Sequence, residues 1–375
     1  MRVRLRRHFP IKFYLSSTAR LSENDLPRDV YKSRRFLYNV DMYSENQIQS
    51  MAALHRLCFG DSEAYTYLFF GKRFEPDRSA VRFDADVAVG AVYTRTLRVA
   101  AGNRTFSVPF FTGIATHPDY RYRRIAADLI EEVIEKLRAE NAPFALLHPF
   151  SVPFYLKRGF SVVNRFRKLP FPDLAADPAL STKPLSPGDA PLLSEAYRNA
   201  TIHAAIRIER SSEDFEVILE DALQEGGTGS LIFRNGIPCG YVLCNGEEIA
   251  ETVVRRWEDL AALPGLRGKS ILLPAANGAP YSMARLVDPI AFLDVAPVAP
   301  GVKDSFILAV GDRRVLLDCD GKRIAARSTD RAPDLTVSER DLLLAGLGSG
   351  RYVLQLPDRL RALFPTCNPL FYETY

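Results

Sequence analysis

The chain has 375 residues, 47% hydrophobic and 25% charged, proportions that exclude a disordered chain or a repeat array and suit a globular protein of two or three domains. No apolar run approaches the roughly 18 residues of a membrane span, and the Arg-rich start lacks the apolar stretch of a secretory signal, so a cytoplasmic location is expected. The formal charge of +4 is uneven: Met1–Arg35 holds ten Lys/Arg against three Asp/Glu, which leaves −3 on the remaining residues. That pattern marks a solvated basic tail rather than a nucleic-acid surface, because no base-stacking or groove-reading motif accompanies it. Five scattered cysteines with no C-x-x-C pair read as reduced thiols and no metal site.

After the tail, residues 45–74 have helical periodicity as one stretch. "AVRFDADVAVGAVYTRTLRVA" and "RTFSVPFFTGIATH" then alternate as strands. A basic turn at Arg121–Arg124 leads into the amphipathic "IAADLIEEVIEKLRAE", where Ile125, Leu129, Val133 and Leu137 fall four apart. "APFALLH" follows as a strand, "SVPFYLKR" as a short helix and "GFSVVNRFRK" as a strand, closing an α/β domain near Leu169. A Pro-rich passage separates it from a second helix-then-hairpin pattern whose "LIFRNGIPCGYVL" echoes "VRFDADVAVGAVY". Phe83 and Gly90 are spaced as Phe233 and Gly240 are, which suggests a degenerate internal repeat. No second basic turn before a helix is apparent in that copy, so its ligand site is expected to be lost. A third unit begins near Met283, with strands in "SFILAVG" and "RRVLLDCDG" and a helix in "SERDLLLAGLG". Its aromatic end, "LFYETY", is expected to be docked rather than frayed.

The basic turn is the feature with chemical content. Unpaired N–H groups and the positive end of a helix coincide there, which suits a pyrophosphate. Three arginines at a helix N-terminus oppose its dipole, and a bound phosphate would neutralise them. On charge alone they would read as surface residues at a helix start.

Around this turn the sequence resembles the GCN5-related N-acetyltransferases, whose Arg-x-x-Gly-x-Gly/Ala reads here Arg121-Tyr122-Arg123-Arg124-Ile125-Ala126. "CFGDSEAYTYLFF", "GIATHPDYR" and "HPFSVPFYLKRGF", with the degenerate second copy and the aromatic end, resemble the Eis-type (enhanced intracellular survival) members. The resemblance implies a mixed α/β (α+β) chain: a basic extension (1–37), a catalytic acetyltransferase domain (38–169), a degenerate second acetyltransferase-like domain (170–282) and a C-terminal sterol-carrier-like α+β domain (283–375). It departs from the family pattern at Arg124, which replaces glycine; a helical φ and a free N–H are expected there.

The same resemblance implies acetyl-CoA as co-substrate, no metal, a small-molecule amine or a lysine as acceptor, no nucleic-acid or membrane partner, and a homo-oligomer. Ile114, Ala115 and Thr116 would pair with the pantetheine, and Arg121, Tyr122, Arg123, Arg124, Ile125 and Ala126 would hold the pyrophosphate. Asp61, Tyr65 and Phe69 would line the acceptor pocket, although a helical surface explains them equally well. Tyr155 would protonate the departing thiolate, with a core aromatic as the plain alternative. The carboxylate of Tyr375 would serve as base, with an ordinary chain end as its alternative. An amine of pKa near 10.4 is neutral in only about one molecule in 10^3.4 at pH 7, a deficit of roughly 4–5 kcal/mol, so a base is useful. His117 and His148 read as structural, His117 being the secondary candidate for the base. A non-catalytic acyl-CoA or lipid-binding module is the alternative function, and an assembly role is third.

Overall fold

A computed structural model describes residues 42–102, 104–224, 226–349 and 356–373, in two compact units. The basic extension and Tyr375 lie outside the described residues.

The first unit comprises the described residues up to Thr94 together with Gly113–Val133. It opens with α1 (Glu45–Phe59), whose N-terminus is closed by a capping box between Ser44 and Gln47. The single helical stretch expected over 45–74 is in fact two helices. Gly60 adopts φ 74°, its N–H bonds the Arg56 carbonyl, and Ser62 then caps α2 (Glu63–Lys72) through the Tyr65 N–H at 3.0 Å. Leu68, Phe69 and Phe70 of α2 prolong the apolar pattern of α1, so periodicity alone does not reveal the break. β1 (Ala80–Asp84) and β2 (Val87–Ala101) form an antiparallel hairpin, β3 (Arg104–Thr116) ends in this unit, and α3 (Ile125–Ala139) follows. Met51, Leu54, Phe69, Phe70, Ala91, Tyr93 and Ala115 form the unit's core. In α3, Leu129, Ile130, Val133, Ile134 and Leu137 are all fully buried. At roughly 1.5–3 kcal/mol per buried side chain, that stripe outweighs the ~0.3–1 kcal/mol each arginine costs at its N-terminus.

The second unit comprises Arg95–Thr112 and Ile134–Tyr375. In chain order it contains β4 (Phe144–Leu147), α4 (Val152–Leu156), β5 (Ser161–Pro170), β6 (Leu180–Pro184), α5 (Ala190–Thr201), β7 (Ile206–Glu209) and α6 (Ser212–Gln224). β8 (Thr228–Arg234), β9 (Ile237–Asn245), β10 (Glu248–Val254), β11 (Ser270–Pro274), β12 (Ala279–Leu286) and α7 (Pro289–Val295) follow. The last elements are β13 (Lys303–Val310), β14 (Arg313–Asp320), β15 (Ile324–Ser328), β16 (Leu335–Val337), α8 (Glu339–Gly346) and α9 (Asp358–Leu363). β3 pairs in parallel with β4 at Phe110 and Phe111, and β12 is inserted between β4 and β5, antiparallel to both. A second sheet runs β10-β9-β8-β6 and a third β15-β14-β13-β16, with β13 and β16 parallel.

The repeat read from the sequence is also present in the strand register. Arg82 faces Gly90 and Ile232 faces Gly240, and each hairpin has an irregularity at the next residue, Phe83 or Phe233. The expectation that the second copy has no basic turn before a helix is corrected: β10 runs into Arg255-Arg256 and then a 3-10 helix at Trp257–Ala262. That helix is too short to show the 3.6-residue periodicity that marks α3.

Candidate active site

β3 continues through Ile114, Ala115 and Thr116 beyond the last residue that pairs with β4. Ala115 is buried, while Ile114 and Thr116 are half-buried, as alternation in a strand requires. The chain leaves β3 at His117, whose N–H bonds the Val89 carbonyl at 2.9 Å. His117 Nδ1 accepts the Asp119 N–H at 3.3 Å, so this imidazole caps the 3-10 turn Pro118–Tyr120, the structural role its sequence context suggests.

The turn Arg121–Arg124 is fully exposed, and Arg123 lies over the Tyr120 ring at 4.8 Å. The helical φ expected for Arg124 is not what the fold adopts. Tyr122 has φ 66° and Arg124 φ 64°, both left-handed. An L-residue costs roughly 1–2 kcal/mol there, which explains why glycine belongs at this position in the resembling pattern. The alternation of hand is also how a turn aims successive N–H groups into one anion-binding concavity. The first bond to the turn comes from the Asp128 N–H to the Arg124 carbonyl at 3.0 Å, so the N–H groups of Ile125 and Ala126 point toward the same end. Gly90 lies beneath: a Cβ added there would stand 2.3 Å from Ile125 Cγ2, so its absence lets the start of α3 approach the hairpin. Arg121, Arg123 and these N–H groups fit a pyrophosphate. Arg124 contributes its N–H, while its side chain turns to Asp128 at 3.7 Å.

Asp61, Tyr65 and Phe69 are brought together around a residue that sequence reasoning missed, His55. His55 is 4% exposed; its ring lies 4.6 Å from that of Phe59, 4.8 Å from Phe69 and 6.3 Å from Tyr65. Its Nε2 is 3.0 Å from Oδ2 of Asp61, within ion-pair range but off the hydrogen-bond direction, and Nδ1 has no hydrogen-bond partner among the described residues. The chamber adjoins β3: a Cβ on Gly113 would meet the Tyr93, His55 and Phe59 rings, and the Cys58 thiol donates to the Thr116 carbonyl at 3.5 Å. Burial raises that thiol's pKa, so it stays protonated. Asp61, 30% exposed, is the carboxylate of the chamber that solvent reaches, which suits a cationic acceptor.

Tyr155 belongs to the second unit, on α4, 2% exposed among Phe150, Phe154 and Phe160. Burial pushes its phenol well above the usual range despite nearby Arg158, so it holds its proton at neutral pH. His148, just after β4, packs edge-on to Tyr281 at 4.9 Å, and burial holds its pKa down to about 4. The chain end is docked through Glu373. Leu370 bonds Ile206 and Ile208 at 2.8 and 3.1 Å, the Asn164 side chain donates to the Pro369 carbonyl at 2.7 Å, and Phe371 and Tyr372 are buried. Arg210, buried, binds Glu251 through both terminal nitrogens at 2.7 and 3.1 Å and donates to the Tyr372 carbonyl; Arg95 reaches Glu373 at 2.5 Å. No group of three or more potential metal ligands occurs among the described residues, and no helix among them is long and apolar enough to cross a membrane.

Residues 39–163 match the family profile described as an acetyltransferase (GNAT) domain. No curated protein matches the chain. Among solved structures, a probable N-acyltransferase from Enterococcus faecalis is similar over 89% of this chain and 98% of its own, at 15% identity and a TM-score of 0.74. A GCN5-related N-acetyltransferase from Kribbella flavida matches over 89% and 98% at 18% identity, TM-score 0.69. Eis1 from Mycobacterium abscessus matches over 87% and 97% at 16% identity, TM-score 0.63. At these identities the likeness establishes a shared fold along nearly the whole chain, while the profile match assigns the segment that contains β3, the basic turn, α3 and Tyr155. Residues 39–163 are a GNAT acetyltransferase domain, and the chain that carries it, with a fold shared with Eis1, is an acyltransferase.

Proposed function

We propose that the protein transfers acetyl from acetyl-CoA to a primary amine of a small molecule or of a lysine side chain. The observation that carries this reading is the left-handed, arginine-bearing turn at the head of α3, inside the segment that matches the acetyltransferase profile. Arg121, Arg123 and the N–H groups from Tyr122 to Ala126 hold the pyrophosphate, and the backbone of Ile114, Ala115 and Thr116 pairs with the pantetheine. One strand N–H polarises the thioester oxygen. Asp61 binds the acceptor's charged end between Tyr65 and Phe69. The neutral amine attacks the thioester carbon, a C–N bond forms as the C–S bond breaks, and the thiolate takes a proton from Tyr155. The attacking amine loses its proton to a base, a role we assign to the Tyr375 carboxylate. The homo-oligomer, the sterol-carrier-like third domain and the domain boundaries given by the resemblance belong to the same proposal.

Purified protein with acetyl-CoA and a panel of di- and polyamines, aminoglycosides and lysine peptides should release CoA thiol with at least one of them. No release with any amine, together with no acetyl-CoA binding, overturns the reading. Arg124 in place of glycine favours one rival, a binding module that no longer turns over, and thermal shift separates the two. A shift with fatty acid but none with CoA or acetyl-CoA supports the rival.

A further inference from the structure

We infer that the second hairpin copy carries a binding site of its own, for a compact phosphate monoester, built on Arg255 and Arg256. A cavity of about 250 Å³ lies at the turn end of this hairpin, lined by Arg234, Ile237, Cys239, Arg255, Arg256 and Asp259 among others. Its position is equivalent to that of the first copy's anion turn. Val89 and Cys239 each precede the glycine that marks the repeat. The Val89 carbonyl accepts the His117 N–H, and the Cys239 carbonyl accepts the Arg255 N–H at 3.2 Å. Arg255 therefore stands where His117 leaves β3, and Arg256 begins the turn that follows.

Charge then identifies the ligand. Arg234 is neutralised by Asp177 and Asp259, each at 2.8 Å. Asp259, 1% exposed, also accepts the Arg256 N–H at 3.1 Å, so the three arginines Arg234, Arg255 and Arg256 stand against two aspartates and the site keeps a net positive charge. The guanidinium groups of Arg255 and Arg256 are exposed, and neither has a hydrogen-bond or ion-pair partner among the described residues. Two adjacent free guanidiniums match a phosphate dianion, which each can bind through paired N–H donors. Ile237, Pro238 and Cys239 supply an apolar floor for a short carbon body. The Cys239 thiol, pushed up to about 11 by burial and by Asp259, stays neutral and does not repel an anion.

Size separates this site from the first. Only Arg256 lies between Arg255 and the 3-10 helix that begins at Trp257, whereas Pro118–Arg124 intervenes between His117 and α3. The shorter connection leaves no second left-handed cradle, and Asp259 lies against the turn, where it accepts the Arg256 N–H. The cavity is below the roughly 300–1,000 Å³ of drug-sized ligand sites. A single phosphate on a small body fits, and a dinucleotide-like diphosphate does not. The inference does not depend on the acyl-transfer reading.

The test is calorimetric titration of the full chain, at fixed ionic strength, with glycerol 3-phosphate and inorganic phosphate, and with acetate as a carboxylate control. Saturable binding of the phosphates is expected. It should weaken at least tenfold in Arg255→Ser/Arg256→Ser and also in Ile237→Asp, an exposed position where a carboxylate would repel the ligand, and survive unchanged in Arg121→Ser/Arg123→Ser. Acetate should bind at least tenfold more weakly. Absence of saturable binding, binding that survives Arg255→Ser/Arg256→Ser, binding lost only with the Arg121 variant, or equal affinity for acetate would each overturn the inference.

Discussion

In the first hairpin Gly90 lies under Ile125, and α3 opens with Tyr122 and Arg124 in left-handed conformations and its arginines in solvent. In the second, Gly240 lies against the Val253 carbonyl, 2.6 Å from where a Cβ would stand. The shared register and the shared irregularity show one frame used twice. What differs is the length of the turn and the fate of its charge. The long turn leaves its N–H groups and arginines facing solvent, as the proposed diphosphate site requires, whereas the short one brings Asp259 in to bind Arg234 and the Arg256 N–H. An anion site can thus be narrowed by an internal carboxylate while its scaffold remains intact.

If chemistry belongs to the first copy alone, the largest effect should come from the chain end. Appending a few residues after Tyr375 relocates the carboxylate and should lower turnover by roughly 10²–10⁴, the range for a positioned acid or base, while Tyr375→Phe is tolerated and acetyl-CoA binding is retained. Equal rates for tagged and untagged protein would move the base elsewhere, to His117 or to bulk water.

Titration behaviour sharpens the contrast between the regions. Arg210 holds its charge against burial by pairing with Glu251, whereas His148 is buried neutral, its Nδ1 without a hydrogen-bond partner among the described residues. Because its folded pKa, about 4, lies below its ordinary 6.5, the unfolded chain takes up the proton first as pH falls. Its contribution is present above about pH 6.5 and is lost progressively down to about pH 4, up to roughly 3 kcal/mol. Denaturant melts across that window should show a shallower acid loss for His148→Phe than for wild type; parallel curves would contradict this.

The two glycines should respond differently. Gly240→Ala pushes against backbone and should cost about 1–3 kcal/mol without touching acetyl-CoA affinity. Gly90→Ala pushes first on Ile125, so it should weaken acetyl-CoA binding as well as stability, read by calorimetry beside thermal melts. The smallest effect is expected for Arg124→Gly, a gain of about 1 kcal/mol with tighter acetyl-CoA binding, because the left-handed strain is relieved. A loss of affinity on that change would mean that the Arg124 side chain itself contacts the ligand.

Much of the frame is legible in the residue order. The α3 stripe, the hairpins, the α4–β5 pair and the docked aromatic end all follow from local periodicity and composition. The break at Gly60 is not, since apolar residues continue on both sides of it. Nor is the insertion of β12 between β4 and β5, which joins segments more than 100 residues apart by backbone pairing. The anion turn is readable from Arg121 to Ala126, but its handedness is not, because nothing in Arg124 itself signals a positive φ. His55 escapes notice because its partner, Asp61, reaches it only after the chain reverses at Gly60. Arg255 and Arg256 acquire meaning only when register aligns them with the end of β3.

Calorimetric titration of acetyl-CoA into wild type, Arg121→Glu/Arg123→Glu and Arg255→Ser/Arg256→Ser tests the central claim most directly. One site per chain is predicted in wild type, weakened by about 100-fold or more when the first turn is charge-reversed, as loss of two charge-assisted contacts implies, and unchanged in the second-copy variant. Absence of binding in wild type, or equal binding by the charge-reversed protein, would contradict the assignment of the acyl-CoA site to the Arg121 turn.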